Sequence, residues 1–169
     1  MTRFVIIAVN VILMTGMCLL FAWLYGFSCR FIIYTVLTAN LLYISNRDIR
    51  ERAVSFEAIA VSAACGLAVL LFNKDNNWWN YILSGIGFAV FFILISRITK
   101  NAIGAGDALI IGVIGLFLGF YHTLSVIFFG LSLGGIAALA LVAAKKVSRN
   151  TPLPFAPFLT AGFLVSILI

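Results

Sequence analysis

The chain has 169 residues, 64% of them hydrophobic and 9% charged, with a formal net charge of +6. A soluble domain of this size is about half apolar and a quarter charged, so there are too few charges to cover a water-facing surface and the composition is that of a membrane protein. Disorder, a collagen-like repeat and a disulfide scaffold are excluded on the same ground, and the positive charge records loop orientation rather than nucleic-acid binding.

Seven apolar runs follow one another, over residues 4–27, 31–44, 56–72, 81–95, 108–121, 123–144 and 155–169. At ~20 residues per crossing they predict an all-α, polytopic bundle of about seven membrane helices forming one domain over residues 1–169. The first run is too long for the apolar region of a secretory signal and lacks a small-residue cleavage site, so it reads as a retained helix. Cys18, Cys29 and Cys65 are isolated, with no metal-ligand or redox-pair spacing. No metal or cofactor is expected from them.

Orientation follows from the positive residues. Arg3, Arg47, Arg50, Arg52, Arg97, Lys100, Lys145, Lys146 and Arg149 fall on one side of a seven-helix arrangement, and only Arg30 and Lys74 on the other. The positive-inside rule then places the N-terminus and the loops at 45–55, 96–107 and 145–154 in the cytoplasm, with the C-terminus outside. Trp78 and Trp79 fall at the external edge, where indoles anchor a helix at the interface. His122 lies at that same external end, an interfacial placement.

Among so many apolar residues each of the five carboxylates must be solvated, paired or functional. Asp75 sits in an external loop, Glu51 lies between Arg50 and Arg52, and Glu57 begins a helix, where the dipole favours an acid. Asp48, at the end of the second helix, and Asp107, at the start of the fifth, remain. Both are on the cytoplasmic side at a membrane boundary. If they meet, repulsion and desolvation leave one proton between them. Such a pair can activate water with one carboxylate while the other polarises a peptide carbonyl, with no metal. Gly104-Ala105-Gly106 precedes Asp107, and glycines there leave room for a substrate backbone or for unusual dihedrals.

Glycines spaced by four, at 115 and 119 and at 130 and 134, permit close helix contact, read as internal packing and compatible with a homo-oligomer. Asn10 and Asn40 are placed to bridge helices by hydrogen bonds. Pro152, Pro154 and Pro157 cluster where the last helix begins, a position that tolerates a missing N–H.

Three stretches carry a resemblance to the type IV prepilin peptidases, membrane aspartic proteases of the GxGD type. Asp48-Ile49-Arg50-Glu51-Arg52-Ala53-Val54 is similar to the family's first aspartate with its basic followers. Gly104-Ala105-Gly106-Asp107 is similar to its second, and Pro154-Phe155-Ala156-Pro157-Phe158-Leu159 to the Pro-Phe-Gly-Pro-Phe-Leu opening of its last helix. The likeness covers about residues 30–169, leaving residues 1–29 as an extra first helix. The chain departs at two places: Val54-Ser55-Phe56 stands where the family usually has Ile-Pro-Asn, and Leu109 where it often has lysine.

The resemblance implies that Asp48 and Asp107 are the catalytic pair of an endopeptidase in the bacterial inner membrane, cutting the leader of a prepilin or pseudopilin on the cytoplasmic side. Gly104, Gly106, Arg50 and Arg52 are the expected substrate-binding residues, the arginines serving also as orientation anchors. The cysteine-rich insert of the long members is not seen, so N-methylation is not expected. Two other readings stand beside this one: a small proton- or cation-coupled transporter, and an inactive relative acting as an assembly subunit. A leader-cleavage assay separates all three.

Overall fold

The computed structural model describes residues 2–51, 56–72, 77–99, 104–144 and 154–169. They form six α-helices: α1 (Thr2–Tyr25), α2 (Cys29–Glu51), α3 (Phe56–Phe72), α4 (Trp78–Ile98), α5 (Ala105–Ala143) and α6 (Ala156–Leu168). No strand occurs among the described residues. α4 and α5 are each long and apolar enough to cross a membrane. Large apolar side chains such as Trp23, Phe27, Phe128 and Leu139 project outward from the bundle, where water would be a poor solvent for them.

The helices differ from the apolar runs where polar residues are themselves helical. The second run stops at Ile44, yet α2 continues through Asn46, Arg47 and Asp48 to Glu51. Asp48 therefore stands in the body of the last turns rather than at the helix end. The amide of Asn46 donates to the Leu42 carbonyl at 2.8 Å, one turn back. Likewise α4 starts at Trp78, with the Trp78 and Trp79 rings stacked 3.8 Å apart between centroids. The third run and α3 share the same bounds.

The fifth and sixth runs are joined in one 39-residue element. A straight helix of that length would be about 58 Å long, nearly twice the ~30 Å hydrocarbon core. It does not run straight. Gly119 has φ 72° and ψ −175°, a conformation essentially reserved for glycine, and the element reverses there. Residues 105–118 pack antiparallel to α4: a methyl added at Gly112 would lie 2.7 Å from the Ala89 Cβ, and one at Gly115 would lie 2.9 Å from the Gly85 backbone. Residues 120–143 pack antiparallel to α6, with Gly130 against Gly162 and Gly134 against Phe158. Of the two glycine pairs noted in the sequence, Gly115, Gly130 and Gly134 are packing positions, whereas Gly119 is the bend.

The core has Leu37, Leu41, Ile110, Ile114, Leu159 and Phe163 at its centre, with a few polar side chains such as Thr38, Ser62 and Thr123 buried among them. Phe21, Tyr34 and Phe163 form a three-ring cluster, with centroids 5.8 to 6.5 Å apart, that ties α1, α2 and α6 together. Polar bridges are sparse and specific. Asn10 and Asn46 exchange two amide hydrogen bonds of 3.1 and 2.8 Å between α1 and α2. Between α3 and α2, the Ser62 hydroxyl donates to Asn40 Oδ1 at 2.9 Å.

Candidate active site

The last turns of α2 and the first turns of α5 and α6 converge at one end of the bundle. Asp48 comes from α2 and is 6% exposed. Its Oδ2 accepts the Ala156 backbone N–H at 3.0 Å, and the start of α6 explains why that donor is available. The Phe158 and Leu159 amides reach back to the Phe155 carbonyl, and Pro157 has no N–H. The Ala156 amide is thus one of the unsatisfied donors of a helix start, and the acid from α2 takes it. A carboxylate at this point also gains from the positive end of the α6 dipole, which offsets its unfavourable place near the end of α2.

Asp107 lies in the first turn of α5 and is partly buried. Gly104 is the N-cap, with φ −61° and ψ 139°, and its carbonyl accepts the Asp107 and Ala108 amides at 3.0 and 3.2 Å. In return the Gly104 N–H donates to the Asp107 carboxylate. This is one half of a capping box, the N3 acid reaching back to the N-cap amide, with Asp in the role usually held by Glu or Gln and no N-cap side chain to make the other half. It also supplies the physical reason for a glycine at 104. Its dihedrals are ordinary for any residue, so the expectation of an unusual backbone is not met there. The positive-φ glycines among the described residues are Gly26 and Gly119. The constraint is space, because a Cβ at 104 would sit 3.1 Å from Asp107 Oδ2.

The two carboxylates lie within electrostatic reach of each other. Acids separated by 59 positions in the chain, carried by helices that are not neighbours in sequence, are thereby brought to one end of the bundle, each with a backbone amide on it. Gly106 is in the same first turn, one residue before Asp107. Arg50 belongs to α2, but its side chain, and all of Arg52, lie outside the described residues, as do Asp75 and the loop lysines. Glu57 is in the first turn of α3, as a helix-start acid should be. Leu109, at the position where lysine was noted as usual, packs against the apolar core. Among the described residues no group of three or more His, Cys, Asp or Glu side chains is gathered to hold a metal ion.

Sequence reading missed both anchoring contacts. The capping of Asp107 has a local signal, since an acid three residues after a glycine N-cap is a capping-box spacing. Contact between Asp48 and Ala156 spans 108 positions and has none.

The structure thus defines an all-helical protein with two aspartates from separate helices brought within electrostatic reach of each other at one end of the bundle. The sequence model described as the type IV leader peptidase family matches residues 35–139, a stretch that includes both aspartates, and the chain belongs to that family. It is similar to the prepilin leader peptidase/N-methyltransferase of Bacillus subtilis (strain 168), 25% identical over 144 residues, covering 85% of this chain and 58% of the relative. It is also similar to the protein of the same name from Stutzerimonas stutzeri, 22% identical over 152 residues, covering 87% of this chain and 53% of that one. The chain therefore spans a little over half the length of these curated relatives. No solved structure matches it significantly.

Proposed function

We propose that the protein is a membrane-embedded aspartic endopeptidase that removes the leader of prepilin- or pseudopilin-type substrates at the cytoplasmic face of the bacterial inner membrane. The observation that carries this reading is that Asp48 and Asp107 come within electrostatic reach of each other, each with a main-chain amide on its carboxylate. Two carboxyl groups in a partly desolvated site do not both hold a charge without cost, and the reaction is proposed to start with one of them protonated and the other ionised.

In the reaction the ionised carboxylate takes a proton from water as its oxygen bonds to the peptide carbonyl carbon. The protonated partner donates to the carbonyl oxygen. Collapse of the tetrahedral intermediate breaks the C–N bond: the proton acquired from water passes to the departing amine, while a hydroxyl of the intermediate returns its proton to the other carboxylate as the acid product forms, restoring the pair. The amides of Ala156 and Gly104 keep the two carboxyl groups from turning away from the substrate. Gly104 and Gly106 leave the approach to Asp107 open, and Arg50 and Arg52 are proposed to meet the leader.

Seven crossings with a cytoplasmic N-terminus are part of the proposal. The reversal at Gly119 supports the count, and the distribution of Lys and Arg supports the orientation. α1, tied on by Asn10 and Phe21, is read as an addition to the same membrane domain.

Co-expression of the full chain with a prepilin tests the reading. Asp48→Asn and Asp107→Asn should each leave the substrate unprocessed, a loss of about 100-fold or more for a general acid or base, while Glu57→Gln cleaves normally. Normal cleavage by either aspartate variant removes that residue from the mechanism.

A further inference from the structure

At the other end of the bundle, the close of α1, the first turns of α2 and α4 and the Gly119 bend line an open-sided cavity of about 720 Å³, a volume in the range of small-ligand sites. It is remote from the aspartates, since Arg30, on its wall, is separated from Asp48 by about 27 Å of helix rise along α2. Its polar lining has one chemical character. Arg30, Ser28, Tyr25, Tyr34, Tyr81 and His122 line it, and no described lining residue is a carboxylate.

These groups are gathered rather than scattered. The Tyr25 and Tyr34 hydroxyls share a hydrogen bond, and Arg30 and Tyr81 are within electrostatic reach of Tyr34. Ser28 Oγ is buried with no hydrogen-bond partner, and a buried hydroxyl left unmatched is costly. The guanidinium of Arg30, a permanent cation with a fork of N–H donors, together with several tyrosine hydroxyls, suits an oxyanion such as a phosphate. The remaining wall is apolar, built from Ile33, Phe117 and Leu118, which a free phosphate would leave bare.

We propose that this cavity binds the headgroup of an anionic phospholipid, with Arg30 and the tyrosine hydroxyls on the phosphate oxygens and the apolar wall against the start of the acyl chains. The positive charge of Arg30 on the wall favours a headgroup of net negative charge, so phosphatidylglycerol is preferred to phosphatidylcholine. This site does not depend on the peptidase reading, because lipid retention and not cleavage reports on it.

Native mass spectrometry of the full chain in detergent, supplied with either lipid, tests the proposal. Wild-type protein should retain phosphatidylglycerol at least about five-fold over phosphatidylcholine. Retention should fall about five-fold in Arg30→Gln, stay near wild type in Arg30→Lys, which controls for folding, and be unchanged in Arg97→Gln at the opposite end. Inorganic phosphate at millimolar concentration should not displace the lipid. Equal retention by Arg30→Gln and wild type, or no preference between the lipids, overturns the proposal. Displacement by phosphate alone overturns the assignment to a lipid and makes the ligand a soluble oxyanion.

Discussion

Asp48 and Ala156 are joined by a 3.0 Å hydrogen bond across 108 positions of chain, so a side chain proposed for chemistry is also the outside cap of α6. Stability and activity should therefore separate at position 48. Asparagine keeps an acceptor oxygen for the Ala156 amide, whereas alanine leaves that donor buried and unmatched, a loss of about 1 to 2 kcal/mol for a helix cap. Asp48→Asn and Asp48→Ala are both expected to be inactive, with Asp48→Ala the less stable by about 1 kcal/mol. Unfolding in mixed detergent would measure the difference, and equal stabilities would deny the cap its role.

Position 104 tests the spatial demand of the Asp107 carboxylate. A methyl there would stand 3.1 Å from Oδ2, so the carboxylate must shift by a few tenths of an ångström. Gly104→Ala is expected to slow leader cleavage about ten-fold while costing less than about 1 kcal/mol of stability, because its dihedrals suit alanine and only the N-cap preference changes. Cleavage rate and thermal midpoint, measured on the same preparation, would show the split. A large loss of stability would place the defect in folding instead.

The bend at Gly119 should not tolerate a side chain. Its φ of 72° disfavours any L-residue, and a Cβ would lie 2.7 Å from Asn80 Nδ2. Gly119→Ala is expected to destabilise the protein by about 1 to 3 kcal/mol. The further change Asn80→Ala should not restore stability, because it removes the contact and leaves the backbone strain. Full rescue would show that crowding, rather than backbone conformation, selects the glycine.

The reciprocal amide pair of Asn10 and Asn46 should register as a coupling between α1 and α2. A double-mutant cycle with Asn10→Leu and Asn46→Leu is expected to give about 0.6 kcal/mol, and no more than about 1.7, the range for side-chain hydrogen bonds within membranes. Zero coupling would mean that the aromatic cluster of Phe21, Tyr34 and Phe163 holds α1 alone.

What could be read from the sequence was set by the range of the interaction that decides each feature. Helices are written in runs of apolar residues, and α3 falls where its run falls. α2 outlasts its run because Asn46, Arg47 and Asp48 stay helical with polar side chains, something hydrophobicity does not register. Asn10 and Asn40 were recognisable as bridging residues by type, but their partners, Asn46 and Ser62, depend on how α1, α2 and α3 are rotated about their axes. Asp48 and Asp107 stood out because acids are scarce in such a chain. That they are brought to one end of the bundle, with one held by α6, is a property of the assembled helices. The glycine at 104 was noticed for backbone freedom or substrate approach, whereas in the folded chain it makes room for its neighbour's carboxylate.

The double duty of position 48 bears on how relatives of this protein can diverge. A descendant that lost the ability to cut would still be held to an oxygen-bearing side chain there, since α6 leans on it, while position 107 would drift more freely within its own short turn. Asparagine at 48 would then be the mark of a lineage that kept the architecture and retired the chemistry, and an aspartate at that position, seen by itself, would be no proof of a working enzyme.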